Sequence, residues 1–88
     1  MEIVSEIEIV PVNHQNGLVA FCRFVLFESL YCNSVAIMTK PSGGYRLLYP
    51  TKKIGDRNVN LFYPITKELG LEIEIQIIRN FKNIAKND

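Results

Sequence analysis

The sequence contains no tryptophan, one histidine and two cysteines among its 88 residues, so the side chains on which many enzymes and metal sites rely are scarce. With only His14, Cys22 and Cys32 available, the chain offers no zinc-ligand spacing and no nucleophilic triad. We therefore expect neither catalysis nor a bound metal or cofactor. The two cysteines form no CxxC pair, and we expect both to be buried and reduced.

Long hydrophobic runs are also missing. No apolar segment approaches the roughly 20 residues that cross a bilayer. Residues 1–6 are acidic, whereas a secretory signal begins with a basic region. We expect a cytoplasmic protein that makes no contact with a membrane.

The chain has no strong net charge, because ten Lys and Arg residues oppose nine Asp and Glu residues and leave a charge of +1. An apolar fraction of 48% and a charged fraction of 22% are typical of globular proteins and exclude wholesale disorder. The length predicts one domain over residues 1–84 and a frayed tail over 85–88. Because so short a chain buries little apolar surface by itself, we expect a homodimer.

Apolar and β-branched residues dominate the first 63 positions in a pattern that predicts strands. The Asn16-Gly17 pair predicts a hairpin turn, and the second strand, apolar except at Arg23, is expected to be buried on both faces. The predicted strands cover residues 2–12, 18–27, 31–39, 45–49 and 59–63, with turns at 13–17 and 40–44 and a loop at 51–58.

Residues 66–84 fit two patterns. A helical stripe and a strand-like alternation share the same isoleucines, so the pattern alone leaves both structures open. The absence of a turn signal after Gly70 favours a helix. The helical stripe consists of Leu69, Ile73, Ile77, Phe81 and Ile84, and the alternating set of Leu71, Ile73, Ile75 and Ile77.

The charges are unevenly distributed along the chain. Residues 40–67 contain six bases and one acid, with several aromatic residues between them, whereas the segments on either side are net acidic. Lysine and arginine side chains attract phosphate oxygens, and aromatic rings stack on unpaired nucleotide bases, so this basic segment suits nucleic acid. It also fits a solvated sheet edge whose bases prevent aggregation, and the residues alone do not decide between the two.

The basic segment carries a recognisable motif, YRLLYPTKK at residues 45–53 followed by a Gly-Asp loop and LFYPI at residues 61–65. This motif resembles the central signature of the SpoVG family (stage V sporulation protein G, the septation regulator). That signature has an apolar strand, Pro, Ser or Thr, two bases, a Gly-containing loop, and a short strand before Pro-Ile. The resemblance extends over roughly residues 1–82.

The resemblance implies an α+β fold in which a curved antiparallel sheet of about five strands precedes a C-terminal helix, and it implies a homodimer. It also implies a bacterial cytoplasmic regulator of septation, sporulation and gene expression that binds DNA or RNA. The basic pair of the motif corresponds to Lys52 and Lys53. This chain departs from the family in having acidic residues in its first strand and in its helix.

Two functional hypotheses follow. The first is a non-enzymatic homodimer that binds nucleic acid weakly through Lys52, Lys53 and Arg57, assisted by Arg46 and Lys40. The second is a protein-interaction module of the division or sporulation machinery that makes no contact with nucleic acid. The acidic helix and the apolar second strand favour the second hypothesis, and the basic segment favours the first.

Overall fold

The structure, a computed structural model, describes residues 2–86 and contains a four-stranded antiparallel sheet, a separate two-stranded sheet and one C-terminal helix. This architecture confirms the predicted α+β class. The four strands follow one another across the sheet in chain order. The elements are β1 (Val4–Gln15), β2 (Leu18–Leu26), β3 (Leu30–Thr39), β4 (Tyr45–Leu48), β5 (Thr51–Ile54), β6 (Arg57–Asn60) and α1 (Lys67–Lys86).

Asn16 and Gly17 form the turn between β1 and β2, as the sequence predicted, and both have positive φ angles, of 53° and 90°. The turn is shorter than predicted, because β1 continues to Gln15. At the other end of the chain, α1 continues to Lys86, two residues past the predicted domain boundary at residue 84. Residues 87–88 of the predicted tail lie outside the described residues.

The pairing register of the main sheet shifts at four places, and two of these shifts contain a non-glycine residue with a positive φ angle. Glu6 and Ser34 have positive φ angles, of 48° and 64°, and each lies where the register shifts by one or more residues. A bulge bends its strand and increases the local twist. Glu6 and Ser34 therefore bend β1 and β3 at these points.

Helix α1 packs on one face of the sheet and resolves the ambiguity of residues 66–84. Ile73, Ile77 and Phe81 are buried, whereas Leu71 and Ile75 are exposed, as a helical stripe requires. The predicted stripe member Ile84 is 38% exposed and lies beyond the core.

The first turn of α1 is capped by Thr66. The Thr66 hydroxyl accepts a hydrogen bond of 3.2 Å from the backbone N–H of Leu69, and the acidic Glu68 lies in the first turn. Both features favour a helix that begins at Lys67.

The predicted loop at residues 51–58 was wrong. This segment forms strands β5 and β6, which pair with each other and not with the main sheet. The predicted fifth strand at 59–63 was likewise misplaced, because β6 ends at Asn60. The main sheet therefore has four strands.

Strand β2 is buried on one face and not on both. Ala20, Cys22 and Phe24 face the core, whereas Phe21 between them is 41% exposed. The prediction of two-sided burial was wrong for a single chain, because α1 covers only the inner face of the sheet. Cys22 and Cys32 are both buried and unpaired, which confirms their predicted burial.

Ile77→Ala should lower the free energy of unfolding by about 2–5 kcal/mol, because the fully buried side chain leaves a cavity between helix and sheet. Ile75→Ala is the matched control, two residues away on the exposed face of the helix. It should change the free energy of unfolding by less than about 0.5 kcal/mol. Urea denaturation of both variants measures the difference. Equal losses would contradict the packing described here.

Stability should fall in alkali. Burial raises the pKa of Cys22 from 9.0 to about 12 and that of Tyr49 from 10.0 to about 12. Above about pH 9 the unfolded chain therefore releases protons that the folded chain retains, and stability decreases up to about pH 12. Urea midpoints across this range should fall less steeply in Tyr49→Phe than in the parent. Tyr31→Phe, at an exposed site, should retain the parent slope.

Candidate nucleic-acid interface

The candidate interface is the β5–β6 hairpin, residues 51–60. Gly55, with a φ of 63°, occupies the two-residue turn, and the backbone N–H of Leu61 donates a 2.9 Å hydrogen bond to the carbonyl of Pro50 at the open end. All eight strand residues are exposed. The hairpin is therefore accessible to a partner from both faces.

The register of the hairpin divides its bases between two faces. Lys52 lies opposite Val59, and Ile54 opposite Arg57, so Lys52 and Arg57 share one face. Lys53 lies opposite Asn58 on the other face. Successive residues of a strand point to opposite sides, so Lys52 and Lys53 project from opposite faces of the hairpin and cannot both contact one flat partner surface.

The two faces differ in chemistry. The face of Lys52 and Arg57 also contains Ile54 and Val59, and we call it the mixed face. The opposite face contains only uncharged polar side chains around its lysine, and we call it the polar face; its members are Thr51, Lys53, Asn58 and Asn60. Amide, hydroxyl and ammonium groups bind phosphates and base edges, whereas the mixed face adds apolar contact area.

The structure places the two assisting bases away from the hairpin. Arg46 lies in β4 opposite Met38, on the face of the main sheet that α1 leaves uncovered. Lys40 lies in the turn between β3 and β4, where its backbone N–H and carbonyl bond to Gly44 and Gly43. The five predicted site residues therefore belong to three parts of the fold: three lie on the hairpin, Arg46 lies in β4, and Lys40 lies in the turn between β3 and β4.

Most aromatic residues of the basic segment face inward. Tyr45 packs edge-on against Phe81, with ring centroids 5.0 Å apart, and Tyr49 packs against Phe62 at 5.9 Å. Tyr63 is 55% exposed and is the one ring of this set that a nucleotide base could stack on directly. The basic segment therefore exposes one ring for stacking, whereas the sequence suggested several.

One base outside the basic segment, Arg23, is neutralised by the carboxylate of Glu8. Arg23 donates hydrogen bonds from Nε and Nη2 to the two carboxylate oxygens of Glu8, and these bonds and the nearby negative charge raise the pKa of Arg23. On the helix, Glu72 accepts a 2.9 Å hydrogen bond from the amide of Gln76. Within the described residues, the hairpin bases have no carboxylate partner.

One sequence signal could have revealed the hairpin. Gly55-Asp56 separates two segments of equal length, and a Gly-Asp pair between two strands is typical of a two-residue hairpin turn. The signal was missed because the flanking residues are mostly polar and show no alternation of apolar and polar side chains.

Across residues 2–86, the structure contains no group of three or more His, Cys, Asp or Glu side chains that could hold a metal ion. In the same part of the chain, no helix has the length and apolar character to cross a membrane.

Comparisons with known proteins add no family assignment. No protein-family model matches the chain, and no curated protein matches it significantly.

Proposed function

We propose that this chain is a SpoVG-like, non-enzymatic regulator of the bacterial cytoplasm that binds DNA or RNA weakly through the β5–β6 hairpin. The observation that carries the proposal is a fully exposed hairpin with three bases and one acid, none of the bases paired to a carboxylate within the described residues. The motif at residues 45–65 supports the same assignment and suggests septation and sporulation as the regulated processes.

The exposed position of the bases favours nucleic acid over a purely structural role. A base that only solubilises a sheet edge has no need to project from the body of the protein, whereas phosphate contacts require unpaired cations that reach a polyanion. The hairpin has cations on both faces, so a strand lying along it could meet Lys53 on one side and Lys52 with Arg57 on the other.

Reversing the charge of the hairpin should abolish binding. A homodimer with about four to six phosphate contacts should give a slope of log K against log salt of roughly −3 to −5. Lys52→Glu combined with Lys53→Glu should remove this salt-dependent binding and leave the circular dichroism spectrum unchanged, since both side chains are exposed. Fluorescence anisotropy with labelled single-stranded RNA and duplex DNA, at about 50 and 200 mM salt, measures the slope.

The matched control is Lys67→Glu combined with Lys82→Glu, which makes the same change in net charge at exposed helix positions. This control should retain most of the binding. Equal losses in both double variants would mean that net charge, and not the hairpin, determines affinity. No binding by the parent at low salt would contradict the proposal and favour the protein-interaction module instead.

We further propose that the outer face of the main sheet forms the homodimer interface. Val10, Phe21, Ala36 and Leu48 are direct cross-strand neighbours and form one row across all four strands. Three of them are 41–51% exposed, because α1 covers only the opposite face. We call this set the outer row. A contiguous apolar row of this kind on a small domain is typical of an interaction surface.

The outer row is complementary to itself. A twofold axis between β2 and β3, parallel to the strands, sets Phe21 of one protomer over the small Ala36 of its partner. The same operation sets Val10 over Leu48. Each large side chain then meets a smaller one, as an isologous contact between two copies requires.

Phe21→Asp should convert the dimer to a monomer. A carboxylate at the centre of an apolar interface should cost about 2 kcal/mol or more, which weakens association roughly 30-fold. Leu71→Asp, at a 55% exposed helix position, is the control and should leave the dimer intact. Sedimentation at micromolar concentration distinguishes the two. A parent protein that is monomeric at this concentration would contradict the dimer.

A further inference from the structure

A cavity of about 320 Å³ lies where the inner face of the sheet meets the start of α1 and the segment that joins the hairpin to the helix. This volume is at the lower end of the range for small-molecule sites. More than half of the aromatic residues of the chain line it: Phe24, Phe27, Tyr49, Phe62 and Tyr63. The cavity is distinct from both faces of the hairpin and from the outer row.

The walls of the cavity exclude charged ligands. Aliphatic side chains complete the lining, no lining residue carries a charge, and the polar groups present are the Cys32 thiol and the Tyr49 and Tyr63 hydroxyls. An ion would lose its hydration there and gain no partner. A nucleotide base is also disfavoured, because the hydrogen-bonding edge of the base would face apolar side chains. The cavity is therefore unsuited to the phosphates and bases expected at the hairpin.

Tyr49 offers one polar contact to an otherwise apolar ligand. Its ring lines the cavity, while its hydroxyl is buried and has no hydrogen-bond partner within the described residues. A buried hydroxyl without a partner is unfavourable. A ligand that carries one hydrogen-bonding atom beside the Tyr49 hydroxyl would supply that partner.

The backbone is strained at one edge of the cavity lining, at Phe27 and the residue that follows it. Phe27 has a φ of 52°, in the left-handed region that bulky side chains rarely adopt, and Glu28 next to it has a φ of 54°. The turn they form closes with a 2.9 Å hydrogen bond from the N–H of Ser29 to the carbonyl of Leu26. Ile65, another lining residue, is 87% exposed. The exposed apolar surface of Ile65 gives a ligand a route from solvent into the cavity.

We propose that this cavity binds an uncharged, mainly aromatic small molecule with a single hydrogen-bonding group. The concave shape favours a small molecule over a second copy of the chain, for which the outer row provides the complementary surface. The inference does not depend on nucleic-acid binding, and it predicts a ligand site on the opposite side of the sheet from the outer row.

The test uses N-phenyl-1-naphthylamine, an uncharged aromatic dye with one N–H group, whose fluorescence increases in apolar surroundings. The parent protein should bind it with a blue-shifted emission. The sulfonated relative 1-anilinonaphthalene-8-sulfonate has the same ring system and one negative charge. It should bind about tenfold more weakly or worse, because the walls offer no cation.

Substitutions at two lining residues test whether the dye binds in the cavity. Leu69→Trp fills the space from the helix side and should weaken dye binding about tenfold, while Leu71→Trp, on the exposed face, should leave it unchanged. If Leu69→Trp fails to fold, Ile65→Asp provides the second test, since this lining residue is almost fully exposed and tolerates a charge. It should also weaken binding, and Leu71→Asp should not.

Three results would overturn the proposal. The first is no dye binding by the folded parent. The second is undiminished binding in the Leu69 and Ile65 variants together with loss in Phe21→Asp, which would place the dye on the outer row. The third is binding that falls as the protein dimerises, which would mean that a second copy fills the cavity.

Discussion

The contact between one stripe of α1 and the inner face of the sheet supplies nearly all of the core, and the other features of the molecule follow from it. Ile73 and Ile77 are almost completely buried against Phe24 and its neighbours, and no second helix exists among residues 2–86 to cover the outer face. A sheet covered on one side leaves its other side to solvent or to a partner. The uncovered apolar outer row is a consequence of having a single helix in this part of the chain.

The hairpin separates the candidate binding groups from the core. An isolated two-stranded ribbon gains little stability by itself, and this one is held by its Gly55 turn and by the hydrogen bond between Leu61 and Pro50. Because none of its side chains is buried, they can change without disturbing the core. Arg23, by contrast, lies on the main sheet and is neutralised by Glu8, so a base in the sequence is not in itself a phosphate site.

The two proposed ligand sites use opposite physical chemistry. The hairpin presents unpaired cations in water, where attraction to phosphate depends on salt. The cavity presents aromatic and aliphatic walls without charge, where binding depends on apolar surface removed from water. The segment of Phe62 and Tyr63 joins them, because it begins two residues after the end of β6 and also lines the cavity. The same short segment therefore links the hairpin to the body of the protein and forms part of the cavity wall.

The sequence by itself determined the elements whose signals are local. Alternation and the Asn16-Gly17 turn predicted the first hairpin, and the spacing of Ile73, Ile77 and Phe81 favoured the helix, since periodicity and turn chemistry act over a few residues. Only the tertiary structure decided that Lys52 and Lys53 lie in a strand and that Arg57 shares the face of Lys52, because no buried apolar face fixes the register between β5 and β6. It also decided which face of β2 is covered and where the cavity lies, because both depend on packing between residues distant in the chain.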